Sequence, residues 1–215
     1  MRIFQPDREF LDAFISKNAT LCSGTVLDVG GGDGKRYRQH FAHVDKFMSL
    51  DPDPSVSPDI VAGAEKIPLE DASVDAILCS EVLMYIHDIQ KAIDEMARVL
   101  KPGAPLILTT SFMATPAIHE QYHWQPGYAG LSALLEKNFS DISIQPRGHY
   151  HAQMSQNRRR YLIEKYNLYN NKILGKLFSL FSKPFGAWAL WRDRRDTSKG
   201  NLAFTMGYNT IAKKR

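Results

Sequence analysis

Thr25-Val26-Leu27-Asp28-Val29-Gly30-Gly31-Gly32-Asp33-Gly34 is the stretch from which the rest of the chain is read. An apolar run with β-branched members ends in an acid and passes into a glycine-dense turn. Such a run predicts a buried parallel strand. Glycines let the chain turn tightly and let backbone N–H groups approach a ligand, because no Cβ stands in the way. A helix is expected from about Gly34 through Lys35 to about His40. Ligands of open α/β sheets bind beyond the carboxyl ends of such strands, where the strand order reverses.

The glycine spacing excludes three familiar loops. The dinucleotide pattern G-x-G-x-x-G needs glycine at position 35, which is Lys35. The short-chain dehydrogenase pattern G-x-x-x-G-x-G needs it at Arg36, and the phosphate loop G-x-x-x-x-G-K-[ST] fails at Lys35. What fits is acid-x-G-x-G-x-G, as Asp28, Gly30, Gly32 and Gly34. That spacing resembles motif I of the class I methyltransferases that depend on S-adenosylmethionine (SAM). The resemblance implies that Asp28, Gly30, Gly31, Gly32 and Gly34 bind the cofactor. It also implies a three-layer Rossmann-like α/β fold, with a seven-stranded, mostly parallel sheet and an antiparallel last strand. A purely structural turn remains the alternative at this point.

With 215 residues, 44% hydrophobic and 23% charged, the chain reads as one globular domain with a substantial core. Within that domain, residues 1–22 read as an N-terminal helix, 23–148 as the core, 149–200 as a helical basic insertion and 201–215 as the final strand. The two cysteines, Cys22 and Cys79, lie in apolar contexts, which favours reduced thiols and a cytoplasmic location. The N-terminal residues have no apolar signal core, and no apolar run reaches the length of a membrane span. No Cys/His ligand spacing appears, so no metal is expected.

The net charge of +4 hides an asymmetry. Residues 147–215 hold 15 Lys+Arg against 3 Asp+Glu, which leaves 12 against 20 for residues 1–146. A basic tail on an acidic core calls for an anionic partner or forms a solvated basic surface.

Downstream of the glycines, Arg8 to Lys17 excepted as an amphipathic helix before them, the chain alternates strands and turns. Lys46-Phe47-Met48-Ser49-Leu50 is the second strand and ends at Asp51-Pro52. An acid there, about 20 residues past the glycines, is placed to accept hydrogen bonds from ribose hydroxyls. Pro52 would then lie near the adenine. Residues 59–62 and 76–79 are short strands. The segment Ala64-Glu65-Lys66-Ile67-Pro68-Leu69, followed by Val74-Asp75, resembles a signature of the type 11 methyltransferase branch. In that branch an acid commonly precedes the alanine and contacts the adenine amino group. Gly63 stands there, so adenine recognition passes to Ala64 and Glu65.

Ser80-Glu81-Val82-Leu83 matches the same branch and adds Ser80 and Glu81 to the cofactor-binding set. The Glu-His that follows in relatives is Met84-Tyr85 here. Tyr85 is therefore a candidate hydroxyl donor and, alternatively, a packing aromatic. Ile89 to Leu100 has helical periodicity and ends at Lys101-Pro102-Gly103. Arg98-Val99-Leu100-Lys101-Pro102-Gly103 with the strand at 106–110 matches the branch in order and distance. Residues 112–130 then bring His119 and His123, placed where such folds bind an acceptor. A helix at 130–136 and strands at 142–146 and 202–212 complete the sheet, the last two expected to pair. The run from Phe112 to Gly148 resembles members that modify cell-surface polysaccharide or lipid-linked glycans.

Arg158-Arg159-Arg160 opens a basic, aromatic-rich segment. Ile173, Leu174, Leu177, Phe178, Leu180 and Phe181 form an apolar stripe, with Phe185, Trp188 and Trp191 beyond it. Two readings stand: contact with a membrane surface through residues 150–195, or a lid packed on the domain by the same stripe. Tyr161-x-x-x-Lys165 has a dehydrogenase spacing but lacks the matching loop.

The expected function is a SAM-dependent methyltransferase. Its acceptor would be a small molecule, a glycan or a lipid-linked compound, methylated at oxygen with Tyr85, His119 or His123 as the acid–base group. The expected location is cytoplasmic, with the membrane contact at the cytoplasmic face if the first reading holds. No nucleic acid is expected as a partner. The alternatives are a non-catalytic SAM-fold module docking on a membrane or enzyme and, against the glycine mismatches, a nicotinamide dehydrogenase.

Overall fold

The computed structural model describes residues 4–112 and 123–215. His119 therefore lies outside the described residues. The chain divides into two compact units, one of Ala13–Gln145 with Gly207–Arg215 and one of Met1–Asp12 with Pro146–Met206.

The first unit is the sheet. Its strands are β1 (Thr25–Val29), β2 (Lys46–Asp51), β3 (Ile60–Val61), β4 (Ala76–Ser80), β5 (Pro105–Ser111), β6 (Phe139–Arg147, which runs past the unit boundary) and β7 (Gly207–Lys214). They form one seven-stranded sheet in the order β3-β2-β1-β4-β5-β7-β6. β1 pairs in parallel with β2 and β4, β2 with β3 and β4 with β5, while β7 runs antiparallel to β5. The antiparallel last strand is as expected. The pairing expected between 202–212 and 142–146 is one side of it, since β7 is inserted between β5 and β6 and bonds to both.

Both faces of the central strands are buried, because successive side chains alternate across a sheet. Leu27, Val29, Ile77, Cys79, Leu106 and Leu108 pack on one face, against the helices α2 (Ile89–Val99) and α3 (Tyr128–Glu136). Val26, Ala76, Leu78 and Ile107 point the other way, where Ile15 and Ala19 from the end of α1 (Pro6–Asn18) and beyond cover them with Tyr37 and Phe41. Helix α2 starts at Asp88, whose carboxylate accepts the Lys91 N–H at 3.0 Å, and its buried stripe is Ile89, Ala92, Ile93, Met96 and Ala97.

The helix expected over 34–40 does not form. Turns lead into a single 3₁₀ turn at Arg38–Phe41. Gly30, Gly32 and Gly34 all adopt φ between 56° and 70°, outside the helical region. Gly34 N–H bonds back to the Gly31 carbonyl at 2.9 Å, and the Asp33 carboxylate takes the Lys35 N–H at 3.1 Å. Tyr37 and Phe41 are the segment's buried aromatics, so a longer helix would bury little more. The final strand also starts later than expected. Lys199–Leu202 is a short helix, α6, because the Ser198 hydroxyl caps it by accepting the Asn201 N–H.

The family-like segments of the sequence turn out to be braces. Arg98 donates to the Glu95 and Asp71 carboxylates and to the carbonyls of Ile67 and Leu69, all at 2.7–2.9 Å. Lys101 pairs with Asp75 at 2.6 Å, and Asp75 in turn accepts the Thr25 N–H at 2.9 Å. Those bonds hold the Asp75 carboxyl below its usual range. The loop between β3 and β4 is thus tied to α2 and to the start of β1.

The second unit is helical. Helix α4 (Tyr150–Lys165) packs on α5 (Lys172–Arg195), with Ala152, Leu190 and Met206 buried beside Phe4 and Phe10. Arg147, whose side chain is fully buried, pairs with Asp7 at 2.8 Å. The Asp193 carboxylate accepts N–H groups of His149 and Ala152 at 3.0 Å and so holds the start of α4. Lys165 sits over the exposed Tyr161 ring, a surface contact that accounts for that pair.

Candidate active site

The parallel strands β1, β2, β4 and β5 deliver their carboxyl ends to one edge of the sheet, and the expected cofactor residues gather there. Asp28 is 2% exposed, and its Oδ2 has no hydrogen-bond partner. Burial pushes its pKa up to about 8, against the opposing pull of Arg36 and Arg38. A side chain at position 31 would run into that carboxyl, since an added Cβ would stand 2.3 Å from Oδ2. Gly30 has the same need: a Cβ would come within 2.4 Å of Val82. The glycine loop therefore packs directly on the segment after β4.

Gly32 differs. A Cβ there would meet only Val56, at 3.9 Å, so the loop faces open space at this point. Its N–H donates to Asp51 Oδ2 at 3.1 Å, and Asp53 N–H donates to Asp51 Oδ1 at 3.0 Å. Asp51 thus braces the glycine loop from the end of β2. A carboxylate has about four lone-pair sites, so acceptor capacity remains. Val56 was not foreseen; it sits in a 3₁₀ turn after Pro54, with no motif of its own.

At the end of β4, Glu81 adopts φ of 61°, a left-handed conformation that a non-glycine residue rarely takes. Its N–H bonds to the Thr109 carbonyl at 3.0 Å, and its carboxylate accepts the Ser111 hydroxyl. Ser80 Oγ lies 3.1 Å from Thr109 Oγ1 and 3.3 Å from the hydroxyl of buried Tyr37, whose pKa burial raises. Pro52 is exposed beside Asp51. Ala64 is buried, and Glu65 spends one oxygen on the Asp88 N–H at 2.7 Å. Nothing lies within 4 Å of an added Cβ at Gly63, so the position where relatives carry an acid is open.

The segment after Glu81 carries the candidate acid–base groups. Tyr85 is 47% exposed at the end of the turn Leu83–Tyr85. His123 N–H donates to the Met84 carbonyl at 2.7 Å, and its ring meets His87 edge to face with centroids 5.3 Å apart. Trp124 Nε1–H donates to the His87 carbonyl at 3.0 Å. His87 was missed from sequence because the relatives' histidine falls at position 85. The structure brings exposed His87 and His123 together, with exposed Tyr85 two residues before His87 in the chain.

The buried Cys22 and Cys79 thiols are free, both with pKa raised by burial, that of Cys22 to about 12.

A family model described as a methyltransferase domain, Methyltransf_11, matches residues 27–108. An uncharacterized methyltransferase of Mycobacterium tuberculosis is 38% identical over 91 residues, which is 38% of this chain and 37% of that protein. A ubiquinone biosynthesis O-methyltransferase of Xylella fastidiosa is 30% identical over 112 residues, covering 45% and 46%. The chain thus spans less than half the length of either relative. A SAM-dependent methyltransferase structure from Archaeoglobus fulgidus superposes with a TM-score of 0.63 at 13% identity, over 96% of this chain and 94% of that one. The sheet order and the superposition agree on the fold of SAM-dependent methyltransferases, and residues 27–108, which hold the glycine loop and both acids, are similar to a methyltransferase domain.

Proposed function

We propose that the protein is a SAM-dependent methyltransferase that methylates an oxygen atom of a small-molecule, glycan or lipid-linked acceptor. The observation that carries this reading is the open face of the loop at Gly32, flanked by the unbonded oxygen of Asp28 and by Asp51. That donor set fits the cofactor: a cation has an acid to meet, a diol has a carboxylate, and a flat group has a path over the loop. Asp51 would hold the ribose, the Gly30–Gly34 loop the amino-acid end, and Pro52, Ala64 and Glu65 the adenine side, with Ser80 and Glu81 closing the site. The cofactor supplies an electrophilic methyl group.

The protein's share of the work is positioning. Holding donor and acceptor in line can supply up to ~7–11 kcal/mol of the barrier. An oxygen acceptor must also lose a proton, and His123 with its neighbour His87 is the described pair suited to take it, Tyr85 serving to donate a hydrogen bond. Calorimetry tests the cofactor assignment: SAM and S-adenosylhomocysteine bind and NAD does not. Preferential NAD binding would overturn it. Incubation with methyl-labelled SAM and fractionated extract then identifies the acceptor, and label in a water-soluble or lipid-soluble product separates the classes.

The lipid-linked class is favoured by α5. Ile173, Leu177, Leu180, Phe181, Trp188 and Trp191 lie along one stripe and are each 46–75% exposed. Arg192 lies over the Trp188 ring and Arg195 over the Trp191 ring, at 5.6 and 4.6 Å. An apolar stripe bordered by cations suits the surface of an anionic bilayer. Among the described residues, no helix is long and apolar enough to cross one.

A further inference from the structure

Between α4 and α5, wholly within the helical unit, lies a cavity of about 470 Å³. That is within the roughly 300–1,000 Å³ of small-ligand sites. Its walls are mostly carbon, from Met154, Leu162, Phe178, Phe185 and Trp188. Its lining also includes Arg159, which is 4% exposed.

Arg159 is unusual for a buried cation. Among the described residues it has no carboxylate partner; two of its nitrogens donate to Ser182, to Oγ at 2.8 Å and to the carbonyl, and Nε meets no acceptor among them. The Phe4 ring lies against the guanidinium, 5.1 Å from Cζ to centroid. The chain makes room for this placement: at Gly186 an added Cβ would stand 2.5 Å from Arg159 Nη2. The nearby carboxylates are engaged elsewhere. Asp196 is held by His151 at 2.9 Å and by the Ser198 N–H at 3.0 Å, and Asp193 by backbone N–H groups. Arg158, on the same lining, is exposed and has no ion pair among the described residues. Burying a cation without a counter-charge is costly unless something supplies one.

We infer that this cavity binds a negatively charged amphiphile, with its carboxylate or phosphate head on Arg159 and its hydrocarbon chain along the apolar walls. The guanidinium has a donor to spare, and bidentate contact with such a head is what its fork geometry suits. Arg158 adds a second positive charge at the exposed side. Burial of Arg159 lowers its pKa, as expected of a cation that lacks its anion. The inference is independent of the methyl-transfer reading, since its test measures binding at the helical unit and not catalysis.

The full chain is titrated by calorimetry with dodecanoate, dodecyl phosphate, dodecanol and dodecyltrimethylammonium, each below its micellar concentration, and with inorganic phosphate. One equivalent of at least one anionic amphiphile is expected to bind. Dodecanol, the cationic amphiphile and inorganic phosphate should bind at least tenfold more weakly. The better of the two anions identifies the head group. Arg159→Gln should lose at least tenfold in affinity with an unchanged melting profile. Met154→Trp, which fills the cavity from a partly exposed wall and leaves Arg159 in place, should weaken binding as well and serves alone if Arg159→Gln does not fold. Equal binding of dodecanol, binding of neither anion, or affinities unmoved by the substitutions would overturn the inference and leave only adsorption to the α5 stripe.

Discussion

Asp28 shows how a site residue can be costly to the fold and useful to the ligand. Its folded pKa of about 8 lies above the ~3.9 of an exposed aspartate. Between these values the folded chain holds a proton that the unfolded chain has lost, so stability falls as pH rises through that window. Asp28→Asn removes the slope; its melting temperature should match the parent's at pH 4 and exceed it at pH 8. A cationic cofactor favours the ionised form and lowers the pKa on binding. SAM affinity should therefore rise with pH towards about 8 and then level off, with proton release visible by calorimetry in two buffers. S-adenosylhomocysteine, which lacks the sulfonium charge, should show a shallower slope, and Asp28→Asn none.

Asp51 and Gly32 are tested together. Asp51→Ala should weaken SAM by ~1–3 kcal/mol, because a charged acceptor for the ribose diol is lost. Its bond to Gly32 N–H goes too, so the loop loses a brace. Gly32→Val should weaken SAM further, by strain at φ of 56° and by occupying the open space. Binding titrations of both variants, with melting curves to separate folding from affinity, decide the matter; parent-like affinity in Gly32→Val would move the ligand elsewhere.

At the scale of elements, the most sequence-specific match does structural work. Arg98-Val99-Leu100-Lys101-Pro102-Gly103 ends α2, and its two cations tie Asp71 and Asp75. Arg98→Ala should cost ~1–3 kcal/mol, since charge-assisted hydrogen bonds are lost at a partly exposed side chain. For a chain of this size that is a fall of several degrees in Tm, and SAM affinity at a permissive temperature should change little. The loop pair His87–His123 makes the opposite forecast. His123→Ala should lower kcat by ~10²-fold if it takes the acceptor's proton, while Tm and SAM affinity hold.

At the scale of the molecule, the charge asymmetry acquires a location. Arg192 and Arg195, over the Trp188 and Trp191 rings, border the exposed stripe of α5. Co-sedimentation with anionic vesicles should occur at low salt and diminish at high salt, because exposed charges are screened over ~8–10 Å. Each cation near the surface contributes ~1 kcal/mol. Protein that stays in the supernatant at low salt would exclude the contact.

The sheet could be read in advance because its strands announce themselves by buried apolar runs, and the acids at 28 and 51 by their distance from the glycines. The helix expected over 34–40 does not form because the loop leading into it holds three left-handed glycines, Gly30, Gly32 and Gly34. Arg159 and Val56 were illegible as site residues. Their meaning comes from what faces them across the fold, Ser182 and Gly186 for one and the gap at Gly32 for the other, and no local pattern encodes such neighbours.

The insertion of β7 between β5 and β6 sets the order in which the chain can mature. As residues leave the ribosome, β5 and β6 appear with the place between them vacant, and the helical residues up to Met206 follow before Gly207–Lys214 arrive to fill it. Until then β5 presents an unpaired edge that runs through Leu106, Ile107 and Leu108, and such an edge recruits other strands. A nascent chain stalled or stopped before residue 207 should therefore be a ready substrate for chaperones and a poor candidate for soluble release. The codons for residues 207–214 thus govern whether the strands made before them remain in solution.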